Sequence, residues 1–271
     1  MFNKLGYQTV KATEGSTEAL SRTIENISNV KSIGYKRNQT TFLETLDGEI
    51  KRHETKNFSQ GPLRKTGEVF DLALDGPGFF EVELPSGQRA YSRAGHFRLS
   101  GEGELVTANE GYRVIPLIEE VGKPVLEVDK SKSDALGLNI EVSTPKLIIP
   151  PDLIPEITED GTVNGVNPET NEKRKIGRID VVSFNNPQGL ESTGKGFYLS
   201  TQLSGQVQEI EYGPNNSTKV KQGYLEQGNI NIAQEMMDMA QLKDLISAQF
   251  KVLKVIDKLY EQVNYTISKS A

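Results

Sequence analysis

Seven residues, Gly189 to Lys195, carry the spacing Gly-x-x-x-x-Gly-Lys that opens a phosphate-cradling loop. That loop needs a Ser or Thr next, to hold magnesium, and then a helix whose N-terminal amides face the phosphates. Here Gly196 follows, and Phe197-Tyr198-Leu199-Ser200 reads as a strand, so the match is a chance one. The chain has 2 histidines, His53 and His96, too few for a three-histidine metal centre. There is no Gly-x-Ser-x-Gly elbow to pair a serine with either of them. The 37 Asp and Glu residues offer many carboxylate pairs, yet nothing in the spacing selects one for acid-base work on a glycosidic bond. With no Trp, a sugar-stacking platform would rest on Tyr or Phe. The segment Glu159-Asp160-Gly161-Thr162-Val163 holds oxygen ligands without the alternation of a calcium loop and reads as a hairpin turn. Met236, Met237 and Met239 read as helix-seam residues rather than metal ligands. The expectation is therefore no enzyme, with no catalytic residue, no cofactor and no metal.

The elements that would carry such residues fall into a helix, β, helix order. From Asn229 onward, Met239, Leu242, Ile246, Leu253, Ile256, Tyr260, Val263 and Ile267 recur in three- and four-residue steps, broken where Gln249 takes a seam position. This is a narrow apolar stripe on a long helix whose other faces are charged. Near the start, Val10, Thr13, Thr17, Leu20, Ile24 and Ile27 repeat the same alternation, and Gly34 is placed to end that first helix. Between them, Leu72 and Leu74, then Phe80, Val82 and Leu84, alternate at period two. Turn signals at Gly76-Pro77-Gly78, Pro85-Ser86-Gly87, Gly101-Glu102-Gly103 and Asn109-Glu110-Gly111 punctuate a hairpin-rich region, while the polar run before it, from Tyr35 to Gln60, reads as a connector with a turn at Leu46-Asp47-Gly48. Prolines 145, 150, 151 and 155 bracket Leu147-Ile148-Ile149 and Leu153-Ile154 as edge strands or an extended crossing.

The predicted fold class is α+β: long N- and C-terminal helices pairing as a coiled-coil-like core, with an inserted, mainly antiparallel β domain. The expected boundaries are residues 1–34 for the first helix, 35–65 for an extended connector, 66–225 for the β domain and 226–271 for the last helix. At 271 residues there is enough chain for a real core, and the 35% hydrophobic share suits an elongated shape or a surface completed by partners. A net charge of −6 argues against nucleic acid, and no stretch has the length and apolarity of a membrane span. The first eleven residues lack the apolar core of a cleaved secretory signal, and with no Cys there are no disulfides.

Ordered blocks of residues resemble a known family. The run Phe58 to Val82, with Gly61, Thr66-Gly67, Phe70-Asp71-Leu72-Ala73-Leu74 and Gly76-Pro77-Gly78-Phe79-Phe80, is similar to the central signature of bacterial flagellar rod and hook proteins. Tyr91-Ser92-Arg93-Ala94-Gly95-His96-Phe97 and Gly103-Glu104-Leu105-Val106-Thr107 resemble the next two blocks. Leu225-Glu226, Asn229-Ile230, Glu235-Met236 and Met239 look like the opening of its last helix. Asn26-Ile27-Ser28-Asn29 and Gly34-Tyr35-Lys36-Arg37 resemble its first-helix exit. The usual Ala-Asn-Asn-Leu-Ala-Asn is here Ile24-Glu25-Asn26-Ile27-Ser28-Asn29, and the Arg-x-Tyr-Glu of the last helix is Asp244-Leu245-Ile246-Ser247.

The resemblance implies an axial structural subunit of the basal-body rod, exported through the flagellar type III apparatus without a cleaved signal, that stacks helically in the periplasm-spanning rod and transmits torque. The short connector leans the reading to the proximal rod, while Gly189-Leu190-Glu191-Ser192 looks more like the distal-rod pattern. Expected partners are copies of itself, other rod proteins, the export apparatus and hook or ring components, with neither nucleic acid nor membrane insertion. The expected assembly seam is Leu20, Ile24, Ile27, Met239, Leu242, Ile246, Leu253, Ile256, Tyr260 and Val263. The competing readings are a peptidoglycan- or carbohydrate-active periplasmic enzyme with a helical anchor, and a hook-type or adhesin-like structural protein.

Overall fold

The computed structural model describes residues 2–44, 50–116, 146–210 and 218–270. The turn expected at Leu46-Asp47-Gly48 lies outside them. The chain divides into two compact units, Met1–Ser59 with Gly228–Ala271, and Gln60–Gln227.

The first unit holds helix α1 (Phe2–Ser28), strands β1 (Asn38–Glu44) and β2 (Ile50–Lys56), and helix α2 (Ile232–Ser270). Helix α1 contains no proline and runs until Asn29, where the backbone enters turns that end at Gly34, whose φ of 65° suits a residue without a Cβ. Asn231 caps α2, its Oδ1 accepting from the amides of Ala233 at 3.1 Å and Gln234 at 3.3 Å. Strands β1 and β2 pair antiparallel from Asn38↔Lys56 to Glu44↔Ile50. A stretch read as extended connector thus contains a hairpin. Most of its residues are polar, and Phe42, Leu43 and Ile50 recur at no settled period, so no apolar alternation marked it.

The expected coiled-coil-like pairing of α1 and α2 is overturned by what the helices bury. On α1 the buried residues are Thr13, Ser16, Ala19, Thr23 and Asn26, all small or polar. Leu20 and Ile27 are half-covered, and Ile24 is 49% exposed. On α2, among residues whose side chains are described, Glu235 and Ile256 alone are buried. A coiled coil needs large apolar knobs on both helices, and α1 turns hydroxyls toward its partner instead. Those hydroxyls are satisfied within their own helix, Thr13 donating to the Thr9 carbonyl at 2.8 Å, Ser16 to Ala12 at 2.9 Å and Thr23 to Ala19 at 3.1 Å. The helices touch along this small face: a Cβ on Gly6 would stand 3.9 Å from Ile256, and Gln249 Nε2 donates to Ser16 Oγ at 3.1 Å.

The second unit contains strands β3 (Leu63–Lys65), β4 (Leu72–Asp75), β5 (Phe79–Glu83), β6 (Arg89–Ser92), β7 (Phe97–Leu99), β8 (Leu105–Thr107) and β9 (Arg113–Val114). Strands β10 (Ile154–Ile157), β11 (Thr162–Val166), β12 (Lys173–Arg178), β13 (Val181–Phe184), β14 (Glu191–Gly194), β15 (Phe197–Leu199), β16 (Val207–Glu209), β17 (Lys219–Gln222) and β18 (Tyr224–Glu226) follow. The largest sheet runs β14-β15-β6-β5-β9-β8-β7, and β13 joins it by pairing with β5 and carries β16 on its other edge. A separate sheet is β10-β11-β12, and two short pairs, β17-β4 and β18-β3, bring the end of the unit back to its beginning.

The core follows the period-two pattern. Leu72, Leu74, Phe80, Val82, Phe97, Leu105, Val163 and Val181 are buried together, with Leu147 and Ile149 from the proline-bracketed segment. On the other face of β5 lies a smaller aromatic layer, in which Phe79 meets Phe184 at 5.9 Å and Tyr198 at 6.2 Å, and Tyr91 meets Phe184 at 4.8 Å between ring centroids. The Gly-Lys match resolves as a single 3-10 turn, Pro187–Gly189, followed by β14 and a tight turn at Lys195 and Gly196 into β15. No helix follows it, so the phosphate reading fails.

Candidate assembly site

In the first unit a polar network fastens the start of α2. Asn26 Nδ2, near the end of α1, donates to the Asn38 carbonyl at 2.9 Å and to Glu235 Oε2 at 3.1 Å. Its Oδ1 accepts from the Asn38 amide at 3.0 Å and the Tyr35 hydroxyl at 3.2 Å. Arg37 binds Glu235 through Nε and Asp238 Oδ2 through Nη2 at 3.1 Å. Its backbone amide donates to Asn229 Oδ1 at 2.8 Å, and Asn229 Nδ2 in turn reaches the carbonyls of Asn57 at 2.8 Å and Ser59 at 2.9 Å. The buried Lys36 donates from Nζ to the Ser59 carbonyl at 2.7 Å. Burial, with the Glu25 carboxylate next in effect, pushes the Tyr35 hydroxyl well above its ordinary pKa, keeping it a neutral donor. A groove of about 470 Å³ beside this network is lined by Arg22, Arg37, Glu235, Asp238 and Leu245, among others.

The second unit has its own closing network. Arg93 Nη1 donates to the carbonyls of Gly76 at 2.9 Å and Gly78 at 2.7 Å, while its Nε lies 2.9 Å from Glu226 Oε2. Glu226 Oε1 accepts from the Gly61 amide at 2.7 Å. Gly78 sits at φ 128°, and a Cβ there would press on Ile210 and Val181. Gly95 is more constrained, since any Cβ would run into the Leu72 carbonyl and the Phe80 ring.

The residues singled out in the sequence separate by face. Met239, Leu242, Ile246, Leu253 and Tyr260 are half-covered on α2, and Ile256 is buried, whereas Val263 is exposed. The side chain of Ile267 lies outside the described residues. Gln249, which interrupts the stripe, is on the covered face and bonds Ser16. A second apolar stripe on α2 is exposed: Leu245, Val252, Val255, Leu259 and Val263 have 38–56% of their surface free. It is rotated about a quarter turn from the covered stripe, at about 100° per residue.

His96 Nδ1 lies 2.6 Å from Oδ1 of the buried Asp71 and ties the start of β4 to the start of β7. His53 lies in β2 opposite Thr41. Among the described residues there is no cluster of three or more His, Asp or Glu suited to a metal ion. Asp160 Oδ2 accepts from Thr162 Oγ1 at 2.8 Å, which makes the expected hairpin turn between β10 and β11. Reading the sequence for apolar seams passed over Asn26, Arg37 and Glu235 as interface formers, because polar residues give no periodic signal. Their presence in the ordered blocks was the available clue.

Comparison with known proteins matches residues 73–165 to the flagellar hook protein FlgE/F/G D1 domain and residues 221–265 to the flagellar basal body rod FlgEFG protein C-terminal model. The chain is 30% identical over 263 residues to the flagellar basal-body rod protein FlgG of Buchnera aphidicola subsp. Schizaphis graminum, covering 88% of this chain and 90% of that one. It is 27% identical to the FlgG of Borreliella burgdorferi over 262 residues, covering 86% and 87%. It is 28% identical to the rod protein FlgF of Caulobacter vibrioides over 250 residues, covering 87% and 85%. The matched segments contain the closing network residues Gly76, Gly78, Arg93 and Glu226 together with Asn229 and Glu235. This chain belongs to the flagellar basal-body rod protein family and is a structural subunit of the rod.

Proposed function

We propose that the subunit assembles helically through the exposed faces of its terminal helices, and that the rod so formed carries torque from motor to hook. The supporting observation is the free stripe Leu245, Val252, Val255, Leu259 and Val263 on a 39-residue helix. Apolar surface repeated along a helix that long gains about 25 cal/mol per Å² when covered. A stack of identical subunits covers it by heterologous, non-closing contacts, the geometry of a filament. The partners are copies of the chain, other rod proteins, and hook or ring components at the ends, with the type III export apparatus delivering it across the inner membrane. No catalytic step is assigned to it.

The test is to purify basal bodies from cells carrying an epitope-labelled copy as the sole source of the protein, and to image the label. Label along the rod, with loss of rods in the deletion strain, is the expected result. Complete rods and normal swimming in the deletion strain would overturn the proposal, and the position of the label reads the level in the rod directly.

A further inference from the structure

A pair of carboxyl groups is built into the β unit at the seam where β13 joins the large sheet. The β13–β5 pairing ends at Val181↔Phe80, and just beyond it Ile115 bridges the next two residues, its amide donating to the Glu81 carbonyl at 3.0 Å and its carbonyl accepting from the Asp180 amide. The Asp180 and Glu81 carboxyl groups lie within hydrogen-bond reach of each other. Glu81 is 1% exposed and Asp180 8%. Oε1 of Glu81 is held by Arg89 Nη1 at 3.1 Å, but its Oε2 is buried with no hydrogen-bond donor among the described residues. A buried carboxylate oxygen without a donor is costly. The Asp180 carboxyl can supply a donor to Glu81 once it holds a proton.

We infer that Asp180 is protonated in the folded subunit and shares its proton with Glu81, so that the attachment of β13 and its outer neighbour β16 to β5 is a proton-dependent joint. The groups facing the pair agree with this. Glu209 on β16 adds negative charge, and the positive charge of Arg89 on β6 acts in the opposite sense. Tyr91 on β6 lies against Glu81 and is kept neutral, its hydroxyl pushed up to about 12 by burial first and the Glu81 charge second. From the chain after β9, the Ile115 carbonyl accepts from the Asp180 amide at 3.4 Å. Burial, then the Glu81 charge, pushes the Asp180 carboxyl up to about 7. A carboxyl raised in the fold binds a proton that the unfolded chain has already released, so stability falls as pH rises from the ordinary Asp range to about 7, and levels off above it. Loss of the proton sets two carboxylates face to face and weakens the joint.

The experiment uses the full chain. Carboxyl carbon NMR of ¹³C-Asp-labelled protein should show Asp180 titrating near neutrality. The melting temperature of the wild type should drop between about pH 5.5 and about pH 8, by more than that of Asp180→Asn, whose amide donates to Glu81 at every pH. Histidine titration is common to both proteins, so the difference isolates Asp180. Glu81→Gln is the second variant and should also flatten the difference. A wild-type Asp180 resonance that titrates in the ordinary carboxylate range, or a melting slope identical in wild type and both variants, overturns the inference.

Discussion

Arg93 and Glu226, 133 positions apart, form an ion pair of 2.9 Å in which both side chains are almost completely buried. The guanidinium also holds the carbonyls of Gly76 and Gly78, and the carboxylate holds the amide of Gly61. One charged pair therefore joins the entry of the β unit, its first tight turn, the end of β6 and the last strand before the chain leaves. This gives a physical reason for the ordered blocks that mark the family: Gly61, Gly76-Pro77-Gly78, Arg93 and Glu226 are far apart in sequence and meet in one network.

Replacing Glu226 with Ala leaves the guanidinium buried and unpaired. Breaking such a pair costs about 3–5 kcal/mol, so urea unfolding of the variant should show a midpoint far below that of the wild type. The double variant Arg93→Met, Glu226→Leu should recover much of that loss, because it removes the unpaired charge along with its partner.

Gly95→Ala should be more damaging than its single methyl suggests. The added carbon meets the Leu72 carbonyl, which is backbone and cannot rotate away, and the Phe80 ring in the core. Soluble yield and near-ultraviolet circular dichroism would report the loss. A variant that melts like the wild type would show that β4 can shift to make room.

In the first unit, Glu235→Ala should release Arg37 and Asn26 together, since both bond its carboxylate. A destabilisation of about 2–4 kcal/mol is expected from leaving buried polar groups without their acceptor. It should be read as earlier loss of helical signal on heating and faster amide exchange over the first turns of α2. Asp238→Ala, at the more exposed end of the same Arg37 contact, should do much less.

The β unit was legible because Leu72, Leu74, Phe80 and Val82 alternate and glycines mark the turns. The existence of a last helix was legible because period two gives way to period 3.6 at Asn229, three residues before α2 begins at Ile232. The phase of α1 was not. Its apolar residues Leu20, Ile24 and Ile27 announce a seam, yet the chain buries Thr13, Ser16, Ala19 and Thr23, whose hydroxyls satisfy themselves on the preceding turn and permit close approach. Hydrophobic periodicity cannot see a contact made of small polar residues. The β1–β2 hairpin escaped because its few apolar residues, Phe42, Leu43 and Ile50, show no period, and the Asp180–Glu81 pair because neighbours in a sheet cannot be read from one strand alone.

Val252 and Leu253 are adjacent on α2 but sit on different faces, the first 45% exposed on the free stripe and the second half-covered on the side of α1. The most direct test of the assembly account compares Val252→Asp with Leu253→Asp, using circular dichroism of the purified subunit and rod incorporation in cells. A charge on the free stripe should leave the isolated subunit as helical and as stable as the wild type while abolishing rods and swimming. The neighbouring charge should lower the stability of the subunit itself. Normal rods built from Val252→Asp, and likewise from Val255→Asp and Leu259→Asp, would contradict the claim that neighbouring subunits cover this stripe.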